Sequence, residues 1–465
     1  MLETVANPYL DGNFAPIRKE ITADRLQVIG ELPQDLSGMF VRNGPNPQWP
    51  PIGQYHWFDG DGMLHGVRIN NGKAIYRNSY VQTRRWKTEY EAGKAIGSGL
   101  LKPQMDNQGT SKNTANTALV WHGGQMLALW EGGAPHAIKV PELETINEYT
   151  YDGKLVSAFT AHPKIDPVTG EMMFFGYSFM RPYLQYSIVS AAGELLRTVP
   201  IELPTAVMMH DFAITENYTI FMDLPLSFRP ERIQRGEPML MFESDRSSRF
   251  GIIPRYGDNS NIHWFDSPPC YVFHTLNAYE QGDEVVLIAC RMSSTSVLSS
   301  SNSQSNSNAD IPYLYQWRFN LKTGVVREEM LDDMPVEFPR INENLLGRQT
   351  RYGYMGKIAN SSVPLFEGVI KHDFNTGNSQ IHDFGQGRYG GEAVFVPRPN
   401  AINEDDGWLM TFVYDEGSKT SELVVVDAQN LTDEPVARVL IPQRVPYGFH
   451  GTWVSEEQIN KSVGM

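Results

Sequence analysis

Four histidines in this 465-residue chain share a local setting that suits metal ligation. His162 stands in Thr160-Ala161-His162-Pro163-Lys164 and His210 in Val207-Met208-Met209-His210-Asp211-Phe212-Ala213-Ile214-Thr215. His274 stands in Tyr271-Val272-Phe273-His274-Thr275 and His450 in Pro446-Tyr447-Gly448-Phe449-His450-Gly451. Each ends a short apolar or aromatic run, and a polar or turn-prone residue follows at once. Neutral imidazole is a favoured ligand for iron, zinc, copper and nickel. A single histidine in such a place is more often a core residue with one hydrogen bond, so the group matters more than any member. No His-x-x-x-His spacing puts two of them on one helix face. Only strands that converge would make them a set. The other seven, His56, His65, His122, His136, His263, His372 and His382, have charged, glycine-rich or turn-like neighbours and read as surface or structural positions.

The elements that must position these residues are short strands. Pro204 precedes the His210 run, Thr215-Glu216-Asn217-Tyr218 breaks it, and Thr219-Ile220-Phe221-Met222-Asp223 follows. That reads as strand, turn, strand, with the imidazole at the first strand's inner end. Similar hairpins recur. Leu64-His65-Gly66-Val67-Arg68-Ile69 turns at Asn70-Asn71-Gly72, Tyr186-Ser187-Ile188-Val189 at Ala191-Ala192-Gly193, and Tyr315-Gln316-Trp317-Arg318-Phe319 at Lys322-Thr323-Gly324. Val369-Ile370-Lys371-His372-Asp373-Phe374 turns at Asn375-Thr376-Gly377, and Leu423-Val424-Val425-Val426 at Asp427-Ala428-Gln429-Asn430. Each is a period-2 pattern closed by residues that tolerate positive φ. Loose repeats of this kind along a whole chain, with almost no long helical periodicity, predict an all-β fold of the propeller type.

Composition narrows the class. A chain this long can bury roughly three-quarters of its unfolded surface and needs no disulfide staples. Cys270 and Cys290 are the two cysteines, too few for a disulfide framework, which suits a reducing cytoplasm. The first residues, Met1-Leu2-Glu3-Thr4-Val5-Ala6-Asn7-Pro8, lack the basic and apolar regions of a signal peptide. No apolar run approaches the roughly 20 residues of a membrane span. A net charge of −15, from 39 basic and 54 acidic residues, argues against nucleic acid as a partner and against electrostatic docking on anionic lipid. Two segments interrupt the strand rhythm. Residues 293–308 are almost all Ser, Asn and Gln and read as a flexible surface loop. Residues 224–230 and 238–242 combine apolar side chains with prolines, and read either as a packed loop or as an apolar rim for lipid or a lipophilic substrate.

Several motifs, in order, resemble the carotenoid cleavage oxygenase family. They are Tyr55-His56-Trp57-Phe58-Asp59-Gly60-Asp61-Gly62-Met63, residues 160–164, Met209-His210-Asp211-Phe212-Ala213-Ile214-Thr215, Val336-Glu337-Phe338-Pro339-Arg340 and residues 447–451. The resemblance runs from about residue 25 to residue 455. It implies a seven-bladed β-propeller with a loop and helix cap over its top face, as one domain over residues 1–465. It also implies a non-haem Fe(II) held by His162, His210, His274 and His450. Four neutral ligands leave the ion's full 2+ charge in place and two coordination positions open for O2 and water. Metal-bound imidazoles usually give their other N–H to an acceptor, which fixes tautomer and ring orientation. By the resemblance those acceptors are Glu131, Glu337 and Glu392. In chain order they serve His210, His274 and His450, leaving His162 without a carboxylate.

The reaction the resemblance implies is oxidative cleavage by O2 of a conjugated C=C bond in a carotenoid or apocarotenoid, giving two carbonyl products. No side chain acts as nucleophile or general base; the protein positions the double bond and excludes water. An apolar tunnel is required, and an aromatic content of 11% can supply one. Phe58, Trp130, Met208 and Phe273 are expected on the cavity wall, with Thr117 crowding an iron position.

Within the family, residues 55–65, 208–230, 249–252 and 444–450 look most like the plant-type members that cut at the 9,10 and 9′,10′ double bonds. The stilbene-cleaving branch carries a lysine immediately before the first outer glutamate, where this chain has Trp130; an indole cannot stabilise a phenolate as an ammonium does. Plant-type members also have a long apolar helix before the segment at 113–117. Here only Ala95-Ile96-Gly97-Ser98-Gly99-Leu100-Leu101 stands in that place, and Thr275 stands where Asn is usual. Weak, reversible contact with a membrane surface through residues 224–228 and Leu100-Leu101 is the resulting expectation. A calcium-dependent propeller hydrolase would line its centre with Asp, Asn and Glu instead. A non-catalytic carotenoid-binding protein would lack at least one ligand, and none is missing.

Overall fold

Antiparallel hairpins carry most of the ordered chain in the computed structural model, which describes residues 7–97, 99, 112–296 and 310–463. Gly62–Asn70 pairs with Lys73–Tyr80 along its full length. The connecting Asn71 and Gly72 have φ of 50° and 69°, the left-handed torsions that Asn and Gly accept with little penalty. Gly193, Gly324 and Gly377 do the same between Leu184–Val189 and Leu195–Ile201, Tyr313–Asn320 and Val326–Arg340, and Phe366–Asp373 and Asn378–Asp383. One expected tight turn is longer. Thr420–Asp427 pairs with Ala437–Ile441, so Asp427-Ala428-Gln429-Asn430 opens a loop rather than closing a hairpin.

The chain's contacts divide it into two compact units. One unit comprises Met1–Asp152, Ala359–Gly368 and Ile381–Met465. Its five-stranded sheet runs Thr22–Ala23, Lys73–Tyr80, Gly62–Asn70, Gly38–Pro45 and Gly451–Ser455. The late strand Gly451–Ser455 therefore pairs with the early Gly38–Pro45, from Arg42–Gly451 to Gly38–Ser455. Val28–Gly30 joins Ala437–Ile441 in the same way. Phe40, Val67, Tyr76, Trp408, Val425 and Val439 are buried between these strands. Burying side chains of that size is worth about 1.5–3 kcal/mol each, so the two chain ends of this unit are held by a shared core as well as by backbone hydrogen bonds.

The second unit comprises Gly153–Ile358 and Val369–Gln380. It contains a four-stranded sheet of Lys164–Ile165, Met172–Tyr177, Leu184–Val189 and Leu195–Ile201, and another of Ala213–Ile214, Tyr218–Asp223, Ser248–Pro254 and His263–Ser267. A longer sheet begins with Tyr271–Gln281, Glu284–Met292, Tyr313–Asn320 and Val326–Arg340. Val326–Arg340 pairs with Tyr313–Asn320 along its first part and with Tyr352–Ile358 at its end. At that end Phe338 has φ of 54°, a torsion that an aromatic residue adopts only under constraint from its surroundings.

The lipid-facing expectation for residues 224–230 does not hold at its two leucines. Leu224 and Leu226 are 2% and 6% exposed and pack in the core of the second unit with Met208, Phe250 and Tyr271. Leu226–Phe228 pairs with Leu240–Phe242 as a two-stranded ribbon. A glutamate at 226 would place a carboxylate in the core at a cost of several kcal/mol, which makes it a test of folding rather than of lipid contact. Of residues 293–308, only 293–296 are described; there the Ser294 and Ser296 hydroxyls donate to the carboxylate of Asp310. Ser98, Leu100 and Leu101 lie outside the described residues. Among the described residues the α-helices are Arg84–Ala92 and Glu456–Val463, and no helix is long and apolar enough to cross a membrane.

Candidate metal centre

Three of the four histidines lead into a strand instead of ending one. His162 precedes Lys164–Ile165, His210 precedes Ala213–Ile214, and His450 precedes Gly451–Ser455. His274 lies inside Tyr271–Gln281 at a break in register between Val272 and Thr275. The expected strand through Val207–Ile214 is thus reduced to its last two residues. Before them, Val207 forms an isolated bridge with Ser227, and the Met208 N–H donates to the Leu226 carbonyl at 2.9 Å. The physical reason is the two-sided alternation of a strand, which would send every second side chain the same way. Just outside a strand, or at a bulge, an imidazole can be aimed independently of its neighbours.

The four side chains converge. One ring nitrogen from each of His162, His210, His274 and His450 lies within 4.8 Å of the other three. Nε2 of His162 is 3.0 Å from Nε2 of His210, which is 3.3 Å from Nε2 of His274. His274 and His450 are buried; His162 and His210 are half-buried. Two of the expected carboxylate partners are in place. The Nδ1–H of His274 donates to Oε2 of Glu337 at 2.5 Å, and that of His450 to Oε1 of Glu392 at 2.9 Å. The other Glu392 oxygen accepts the Gly451 N–H at 2.7 Å, and the Phe338 N–H folds back onto the Glu337 carboxylate at 2.5 Å. The constrained torsion at Phe338 thus holds the glutamate against its histidine. Glu131 follows Gln125–Leu129 in a half-buried turn with Trp130.

The donor set fits a transition-metal ion. With Nδ1–H committed to Glu337, Nε2 of His274 carries a lone pair, and the same holds for His450 beside Glu392. Nε2 of His210 lies 3.3 Å from that His274 lone pair, close enough to donate a hydrogen bond to it or to share a cation with it. Two nitrogens each about 2.1 Å from one ion and at right angles to each other would be about 3.0 Å apart, which matches the separations here. A set of four imidazoles selects iron, zinc, copper or nickel over magnesium or calcium.

The expected cavity residues divide by setting. Phe58 lies in the one-turn helix Trp57–Asp59, and its ring meets that of Phe449 at 5.4 Å. The Asn116 side chain donates to the Phe58 carbonyl and accepts from the Thr117 hydroxyl, and the Thr117 carbonyl accepts the His450 N–H at 3.1 Å. Thr117 is therefore tied to the His450 backbone. Trp130 lies against Gly132 and Gly133, where an added Cβ would meet the indole at 2.4 Å and 3.3 Å. Phe273 packs edge-on against His210 at 5.3 Å, while Met208 is a core residue whose carbonyl accepts the Tyr271 hydroxyl. A surface cleft of about 850 Å³ lined by Arg18, Trp49, Tyr80, Trp86 and Tyr90 contains none of these residues and is distinct from the histidine group.

Six of the remaining histidines are buried and one, His263, is exposed. His65, His372 and His382 each place Nδ1 within hydrogen-bond distance of a hydroxyl or carbonyl oxygen, and burial pushes their pKa values down. Burial brings His136 to about 4. These are neutral structural imidazoles. One residue of the centre escaped the sequence reading: Asp211, whose carboxylate contacts both Lys164 and Thr275. Its signal was a lone acid inside an apolar run.

A mostly β protein with four converging histidines that could hold a metal ion is a narrow class. The family model of the retinal pigment epithelial membrane protein matches residues 14–455. A carotenoid 9,10(9′,10′)-cleavage dioxygenase from Crocus sativus is 45% identical over 97% of this chain and 90% of its own length. The crystal structure of a lignostilbene dioxygenase from Pseudomonas brassicacearum superposes with a TM-score of 0.91 at 32% identity, covering 97% of this chain and 98% of that one. A variant of the Synechocystis apocarotenoid oxygenase does so with a TM-score of 0.86 at 28% identity, covering 95% and 98%. This chain belongs to the carotenoid cleavage oxygenase family.

Proposed function

We propose that the chain is a non-haem Fe(II)-dependent dioxygenase that cleaves a conjugated C=C bond of a carotenoid or apocarotenoid, at the 9,10 and 9′,10′ positions, into two carbonyl products. The observation that carries this reading is the convergence of four imidazoles, two of them oriented by buried glutamates. Iron held by His162, His210, His274 and His450 would supply the redox chemistry for cleavage of the double bond by O2. The protein's part is placement. Glu337 and Glu392 hold the Nδ1–H tautomer, which leaves the lone pair of each ring on Nε2, the nitrogen away from the glutamate. Glu131 is assigned to His210 by the chain order of the three glutamates. Their negative charge balances an ion that four neutral ligands leave at 2+. Phe58, Trp130 and Phe273 would exclude water and stack along the polyene, with Met208 behind them and Thr117 restricting approach to one side.

We place this site in a seven-bladed propeller of a single domain, with loops and short helices capping one face. The support is the series of antiparallel sheets, the pairing of Gly451–Ser455 with Gly38–Pro45, and the likeness to the solved family structures. The two buried free thiols, Cys270 and Cys290, suit a cytoplasmic protein. Trp130 at the position of the stilbene branch's lysine favours a carotenoid over a phenolic stilbene. Aerobic incubation of the iron-loaded protein with a carotenoid, an apocarotenal and a hydroxystilbene tests this. Paired carbonyl products from the polyenes, with masses matching cleavage at 9,10, are expected. Turnover of the stilbene alone would reverse the choice of substrate.

A further inference from the structure

We infer that Asp211 is a positioning residue for three of the four metal ligands at once; the inference rests on the metal reading above. Asp211 is 1% exposed. Oδ1 meets Lys164 Nζ at 2.8 Å and accepts the Phe212 N–H at 2.8 Å. Oδ2 accepts both the N–H and the hydroxyl of Thr275, each at 2.8 Å. Four donors saturate a carboxylate's acceptor sites. Asp211 is next to His210, Lys164 is two residues after His162, and Thr275 is next to His274. One buried anion therefore ties together the three segments that deliver these histidines.

The backbone shows why such a tie is needed. Residues 208–212 belong to no ladder, and Tyr271–Gln281 loses register on both sides of Thr275. The strand pairing that fixes side chains elsewhere is interrupted at His210 and His274. Asp211 supplies the missing constraint: it takes the Thr275 N–H, while the Thr275 hydroxyl also lies 3.1 Å from the Phe212 carbonyl. Lys164 cancels the carboxylate's charge, so Asp211 orients the ligand segments without adding to the negative charge already set by the glutamates. Saturation leaves the Asp211 carboxylate no acceptor site for a competing donor, which favours a single geometry.

The test uses the full chain, stripped of metal and reloaded with Co(II), read by chelator competition and by the visible ligand-field bands. Asp211→Asn is expected to weaken Co(II) binding on the order of 10–100-fold and to shift the bands. Thr275→Val, which removes one hydroxyl at constant shape, is expected to do the same to a smaller extent, and Thr275→Ser to restore wild-type behaviour. Thermal melting of each metal-free variant shows whether the fold persists; Thr275→Val carries the test if Asp211→Asn does not fold. Wild-type affinity and bands in the folded variants would overturn the role of Asp211, as would equal losses in Thr275→Ser and Thr275→Val. A wild-type chain that binds no Co(II), or a His210→Ala variant that binds it equally well, would overturn the metal reading instead.

Discussion

His65 and His274 are both buried imidazoles whose Nδ1 lies within hydrogen-bond distance of an oxygen, yet their surroundings differ in sign. His65 lies in Gly62–Asn70, 2.8 Å from the Tyr76 hydroxyl, and burial together with the guanidinium groups of Arg42 and Arg444 pushes its pKa well down. A cation beside it would meet two positive charges. His274 donates to a carboxylate, and its second nitrogen faces the nitrogens of His210, His162 and His450. Burial and a hydrogen bond are common to both regions. What separates them is convergence of ring nitrogens, backed at His274 and His450 by a carboxylate behind the ring.

Substitutions can break that comparison. The largest effect is expected at a ligand. His274→Ala should leave the protein without bound iron and reduce product formation to background, whereas His65→Gln should keep full iron content and lose about 1–3 kcal/mol of stability from the broken buried hydrogen bond. Metal analysis and thermal melting of the two variants check this; iron loss in His65→Gln would erase the distinction. A smaller effect is expected one atom further out. Glu337→Gln and Glu392→Gln keep the size of the side chain but remove the negative charge behind the imidazole. Each should lower iron affinity or activity roughly 10–100-fold. Full iron and full activity in both would remove the glutamates from the centre.

The difference between the two histidines was partly legible in the sequence. Hairpins such as Gly62–Asn70 with Lys73–Tyr80 were readable because both alternation and turn torsion are local. The four histidines and the three glutamates stood out as family motifs, and two of the three His–Glu pairs are seen directly. Asp211 was not readable as a hub, since its partners Lys164 and Thr275 are 47 and 64 residues away and meet it only through tertiary packing. Leu224 and Leu226 misled for a related reason: an apolar, proline-punctuated run has one composition whether it faces lipid or a core. Nor does any residue type announce the left-handed torsion of Phe338, which coincides with a register shift between Glu337 and Arg340.

The most direct measurement is anomalous diffraction at the iron edge from crystals of the iron-loaded protein. One peak is predicted, about 2.1 Å from a ring nitrogen of each of His162, His210, His274 and His450. A peak elsewhere, or one bound by fewer than these four histidines, would contradict the proposed centre.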